Sequence, residues 1–110
     1  MSDLNSLVIT AIEDMKGKEV ITLDVRELTD VMDTLIIASG TSNRHVRAMA
    51  ENLVEDLKKQ GHRATGIEGL DVGDWVLVDF GDTVVHLMQQ ETRDFYELEK
   101  LWSVKPQNRQ

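Results

Sequence analysis

Three groups of residues in this 110-residue chain have side chains suited to chemistry. They are the hydroxyls of Ser39, Thr41 and Ser42, the imidazoles of His45, His62 and His86, and the carboxylates of Asp79 and Asp82. A hydroxyl beside an imidazole is the pattern of nucleophilic catalysis, in which the ring takes the hydroxyl proton. His45 follows Ser42 by three residues at the start of a helical pattern, a spacing that serves capping and not a triad. Gly40-Thr41-Ser42 opens that helix after a strand, where backbone N–H groups can hold phosphate. The P-loop Lys is missing, as is the glycine fingerprint of dinucleotide folds, and Thr41 or Ser42 as an N-cap accounts for the same turn. Two-metal nucleotidyl transfer needs carboxylates one residue apart on a strand. No predicted strand carries such a pair; Asp79 and Asp82 are three apart, with Asp82 in a turn. Asp79-Phe80-Gly81 matches the kinase metal motif in letters alone. These residues assemble no active site, so the expectation is a protein that is not an enzyme and has neither cofactor nor metal.

A different kind of chemistry is legible in Trp75 to Met88, WVLVDFGDTVVHLM, which reads as one β-hairpin. Gly81-Asp82 is a two-residue turn with Gly first, the order of a type II′ turn. That turn sets Phe80 opposite Thr83, Val78 opposite Val85, and Val76 opposite Leu87. Side chains alternate across a strand, so these six share one nearly apolar face. The other face pairs Asp79 with Val84, Leu77 with His86, and Trp75 with Met88. A Trp, a Met, a His and an Asp make a poor core. Either this face contacts a partner, or a helix covers it and leaves the polar groups at the rim.

The elements that position the hairpin follow from periodicity. Leu4, Leu7, Val8, Ala11, Ile12 and Met15 fall at helical spacing, with Asp3 before them and Gly17 after. Val20 to Val25 is a short strand, and Leu35 to Ala38 lies in a second, buried strand. Val46, Met49, Ala50, Leu53, Val54 and Leu57 mark the buried side of a second helix closed by Gly61. A third strand is expected at Ala64 to Ile67. From about Glu91, the spacing of Phe95, Leu98 and Trp102 predicts one face of a last helix that packs on the sheet, with self-association into a homodimer as its other use. The prediction is an α/β fold: a mixed sheet of about five strands with helices packed on it. Residues 1–102 form a single domain, and 103–110, poor in apolar residues, are expected to be a disordered tail.

Composition narrows the partners. Cysteine is absent, which excludes disulfides and thiolate metal sites. The N-terminal stretch has no basic, apolar leader pattern, and no segment has the apolar length of a membrane span, so a cytoplasmic protein is expected. The formal charge is −8, and between Arg63 and Arg93 there is no Lys or Arg while Glu68, Asp71, Asp74, Asp79, Asp82 and Glu91 occur. Such an interval repels a phosphate backbone and attracts a basic protein. Little direct nucleic-acid binding is therefore expected.

The run GTSNRHV (Gly40 to Val46), the pair Glu68-Gly69, and DWVLVDFGDTVVHLMQQETRDFYELEKLW (Asp74 to Trp102) together resemble the Iojap family, whose bacterial members are the ribosomal silencing factors S. The resemblance spans residues 4–102; the family's usual Thr before Asp33 is Met32 here. It implies a nucleotidyltransferase-like topology without the metal carboxylates, and no catalysis. It also implies binding to a basic protein of the large ribosomal subunit, ribosomal protein L fourteen, on the face that meets the small subunit. Occupying that face blocks subunit joining and represses translation when nutrients are scarce; organellar relatives act in ribosome biogenesis. Joined to the hairpin, this predicts Trp75, Leu77 and Met88 as the apolar centre of a partner-binding surface. Glu68, Asp74 and Asp79 are expected to supply charge around it, and His86 to orient one of these groups. The alternatives are a factor for large-subunit biogenesis, or a nucleotide-binding enzyme using the Gly40 turn with Asp79 and Asp82.

Overall fold

A computed structural model describes residues 4–97. The elements run α1 (Leu4–Asp14), β1 (Lys18–Asp24), β2 (Thr34–Gly40), α2 (Asn43–Lys59), β3 (Gly66–Glu68), β4 (Trp75–Asp79), β5 (Thr83–Gln89) and α3 (Gln90–Tyr96). The five strands form one mixed sheet in the order β1-β2-β5-β4-β3. Only the central β2–β5 pair is parallel; β1–β2, β5–β4 and β4–β3 are antiparallel. The tail at 103–110, with Leu98 and Trp102, lies outside the described residues.

The placement of β2 follows from its sequence. LIIA is apolar on both faces, the composition of a strand covered on both sides, and Leu35 to Ala38 are all fully buried. Alternation sends Ile36 and Ala38 to one face, where they meet Val76, Val78, Val85 and Leu87 of the hairpin. Helix α1 closes this layer with Val8, Ala11 and Ile12, and α2 with Val46, Met49, Ala50, Leu53 and Leu57. On the opposite face, Leu35 and Ile37 join Met88 and Val25 in a smaller cluster, against which Leu28, Met32 and Trp75 pack. The sheet is thus thickly covered on one side and thinly on the other. The thin side carries the candidate site.

The hairpin register is the one its turn predicts, with Val76 opposite Leu87, Leu77 opposite His86 and Asp79 opposite Val84. Gly81 has φ +97°, and the Phe80 N–H donates to the Thr83 carbonyl at 2.9 Å across the turn. Ser42 caps α2, its Oγ accepting from the His45 N–H at 3.0 Å. His45 itself is engaged locally: its Nδ1 accepts from the Thr41 N–H at 2.9 Å, and its Nε2 lies 2.7 Å from the Met15 carbonyl. Three boundaries differ from the sequence reading. β1 covers 18–24 rather than 20–25. β3 covers 66–68 rather than 64–67, with Thr65 just ahead of it already donating its N–H to the Asp79 carbonyl of β4 at 2.7 Å. Helix α3 ends at Tyr96, where Glu97 takes a left-handed φ of +50° and donates its N–H to the Arg93 carbonyl.

Candidate functional site

The thin face of the sheet is built in rows by strand register. One row runs Glu68, Leu77, His86, Ile37 and Ile21 from β3 to β1; the next includes Trp75, Met88 and Ser39. Trp75 and Leu77 are half-buried, as are Asp74 and Asp79, while Glu68 is exposed. Met88 has no exposed surface, which corrects its expected place in an exposed apolar centre: it lies in the cluster beneath Trp75. His86 is also enclosed, at 7% exposure.

His86 is the polar fixture of this face. Its Nδ1 accepts a hydrogen bond from the Trp75 indole Nε1–H at 2.9 Å. An indole N–H can only donate, so Nδ1 must be bare and the ring neutral, with its proton on Nε2. Burial acts in the same direction, lowering the pKa of His86 from 6.5 to about 4 because the charged ring would be desolvated. The bond ties the Trp75 ring down onto β5, so the aromatic plane is held rather than free to rotate. Asp79 also acts locally, its Oδ1 accepting from the Gly81 N–H at 2.7 Å and stiffening the hairpin turn. Asp74 offers its carbonyl to the Gln89 N–H at 3.0 Å, extending the β4–β5 pairing by one residue.

Helix α3 completes this face with Tyr96, which the sequence reading did not place, with Phe95, which it placed elsewhere, and with Arg93 behind them. Tyr96 stacks on Trp75 with ring centroids 4.9 Å apart and planes tilted by 47°, and Phe95 meets Tyr96 edge-on at 4.9 Å. Phe95 was expected to face the sheet; it is 79% exposed. Arg93 packs inward instead, at 2% exposure, its Nη1 donating to Ser39 Oγ at 2.8 Å. Glu19 stands 3.9 Å from the same nitrogen, from a β1 residue with a left-handed φ of +51° beside a register shift. The signal in sequence was weak: a stripe through Phe95, Leu98 and Trp102 presumes a helix that continues beyond Tyr96, and this one stops there.

The enzymatic alternative fails on distance. Gly40 lies at the carboxyl end of β2, whereas the turn of Asp79 and Asp82 meets the other end, the Asp82 carbonyl accepting from the N–H groups of Asp33 and Thr34. Six residue steps at ~3.3 Å separate those ends by about 20 Å. The hollow of about 330 Å³ beside Gly40 is lined by Lys18, Ser39, Thr41, Gln89, Gln90 and Glu91, with Glu91 its single carboxylate. No group of three or more metal-ligating side chains occurs among the described residues.

What the architecture presents is therefore a small α/β scaffold whose thinly covered face carries aromatic and acidic side chains. The chain belongs to the RsfS family: the family model described as "Ribosomal silencing factor during starvation" matches residues 1–110. It is 45% identical over 102 residues to the ribosomal silencing factor RsfS of Chromobacterium violaceum, covering 93% of this chain and 84% of that one. A crystal structure of a protein from the same organism superposes with a TM-score of 0.89 at 45% identity, covering 93% of this chain and 85% of that one. The mouse "Mitochondrial assembly of ribosomal large subunit protein 1" is 38% identical over 102 residues, covering 90% of this chain and 45% of the mouse protein. The family is one of non-enzymatic ribosome-binding factors. No helix of the described residues is long and apolar enough to cross a membrane.

Proposed function

We propose that this protein represses translation in the cytoplasm by binding the large ribosomal subunit and sterically preventing the small subunit from joining. Membership of a silencing-factor family along the whole chain carries this reading. The contact we assign is ribosomal protein L fourteen, docked on the thin face of the sheet. Trp75 and Leu77 form its apolar centre, Glu68, Asp74 and Asp79 its acidic surround, and His86 with Met88 its support from below. A tryptophan that is both tied by a hydrogen bond and partly open is the residue type that anchors interfaces. The interval between Arg63 and Arg93, which carries all three of these carboxylates, has no Lys or Arg, and that favours a basic protein over bare RNA. The nucleotidyltransferase-like topology implied by the family resemblance belongs to the same proposal, as an inherited frame put to binding.

The test is sucrose-gradient sedimentation of purified subunits under joining conditions, with the wild type and with Trp75→Ala. Wild type is expected to sediment with the large subunit and leave free small subunits. Trp75→Ala is expected to lose about 2 kcal/mol or more of affinity, roughly 30-fold, while staying folded. Normal joining with no co-sedimentation would overturn the reading. The name of the mouse relative supports a second one, action during assembly of the large subunit. In that case the protein rides with immature large subunits and is absent from mature ones.

A further inference from the structure

Helix α3 holds the most exposed aromatic group among the described residues. Its inner side is fixed by Arg93, almost fully buried on Ser39 Oγ, and its end is fixed by the left-handed cap at Glu97. Helix frame and cap together point Phe95 outward at 79% exposure and leave Tyr96 at 55%, although Tyr96 already leans on Trp75. Phe95 makes an edge contact with Tyr96, so the three rings form one continuous strip from β4 onto α3. Acidic side chains accompany it: Glu91, Asp94 and Glu97 are all exposed on the same short segment. Ring faces attract cations, and adjacent carboxylates strengthen that attraction. Tyr96, already packed on Trp75, also loses little rotamer entropy when it is covered.

We propose that Phe95 and Tyr96 form, with Trp75, a second contact strip that receives Lys or Arg side chains of the basic ribosomal protein, extending the interface from the hairpin onto α3. This rests on the ribosome-binding reading and assigns that partner a second, cationic point of attachment. Continuity with the hairpin surface and charge complementarity select this occupant over a second copy of the chain, which would bring its own carboxylates against these.

The experiment measures binding of the full chain to purified large subunits for wild type, Phe95→Ala, Phe95→Tyr and Phe95→Leu, with thermal midpoint and solution mass recorded for each. Phe95→Ala is expected to weaken binding about tenfold at an unchanged midpoint, because so exposed a ring contributes little to folding. Phe95→Tyr should restore the affinity, and Phe95→Leu should restore only part of it, since leucine has apolar area without a ring face. If wild type binds and Phe95→Ala binds equally well, the strip is overturned while the hairpin reading stands. If wild type is a dimer and Phe95→Ala a monomer of equal ribosome affinity, the strip belongs to a second copy and the proposal is wrong. If wild type itself does not bind large subunits, both readings fall together.

Discussion

Replacing His86 by Asn isolates the energetic consequence of a neutral imidazole held under Trp75. The native ring has a pKa of about 4 against 6.5 when unfolded, so the folded state excludes a proton that the unfolded chain accepts. The sign follows: the contribution is complete above pH 6.5, declines as pH falls from 6.5 to about 4, and is constant below that. Between pH 7.5 and pH 5, the unfolded state gains about 2 kcal/mol by protonation and the native state almost nothing. Wild type should therefore lose about 2 kcal/mol more stability over that interval than His86→Asn, whose amide oxygen can accept from the indole and does not titrate. Carboxylates and the other two histidines contribute equally to both proteins and cancel in the difference. The assay is urea unfolding followed by circular dichroism at the two pH values, with m checked for constancy. Parallel losses in the two proteins would refute the reasoning, and a native His86 that titrates by NMR near its ordinary value would do so directly.

Arg93→Met should destabilise the fold by about 1–3 kcal/mol, because it leaves Ser39 Oγ enclosed without its donor. It should also disorder the Trp75–Tyr96 stack, seen as a loss of near-ultraviolet circular dichroism; an unchanged spectrum and stability would show that α3 is held by other contacts. Gly69→Ala places a methyl 2.2 Å from the Trp75 carbonyl at a φ of +83°, two incompatibilities at once. It should cost at least ~1–3 kcal/mol in denaturant unfolding, and a neutral result would mean that this corner moves freely.

How much was legible varies by element, and the reasons are physical. The Gly81 turn has a narrow conformational choice and an alternating pattern on either side, so it fixed the whole β4–β5 register, including Leu77 opposite His86. The continuous apolar run in β2 likewise announced a central strand. Burial on the second face was harder to read, because alternation says which residues share a face but not how deep each lies. Met88 and Trp75 are register partners, yet only Met88 is fully enclosed. Helix α3 was misread for a related cause: a stripe at helical spacing outweighed Arg93, whose aliphatic stem, with the Ser39 hydroxyl and the Glu19 carboxylate near its guanidinium, lets it take the inward position. The left-handed turn at Glu97 has no glycine to signal it.

The parallel pairing of β2 with β5 also dictates when this molecule can fold. As the chain is made, α1, β1, β2 and α2 all appear before the strand that must lie against β2. Until residues 83–89 emerge, the most apolar strand of the sheet has one edge without a hydrogen-bonding partner. The first half is therefore not a folding unit of its own, and closing the sheet waits for contacts some fifty residues apart in sequence. A nascent chain that stalls before β5 presents Leu35 to Ala38 as an open template for aggregation. The second strand of the hairpin thus does more than hold His86 and Met88 beneath Trp75, because it seals the edge of the first-made half.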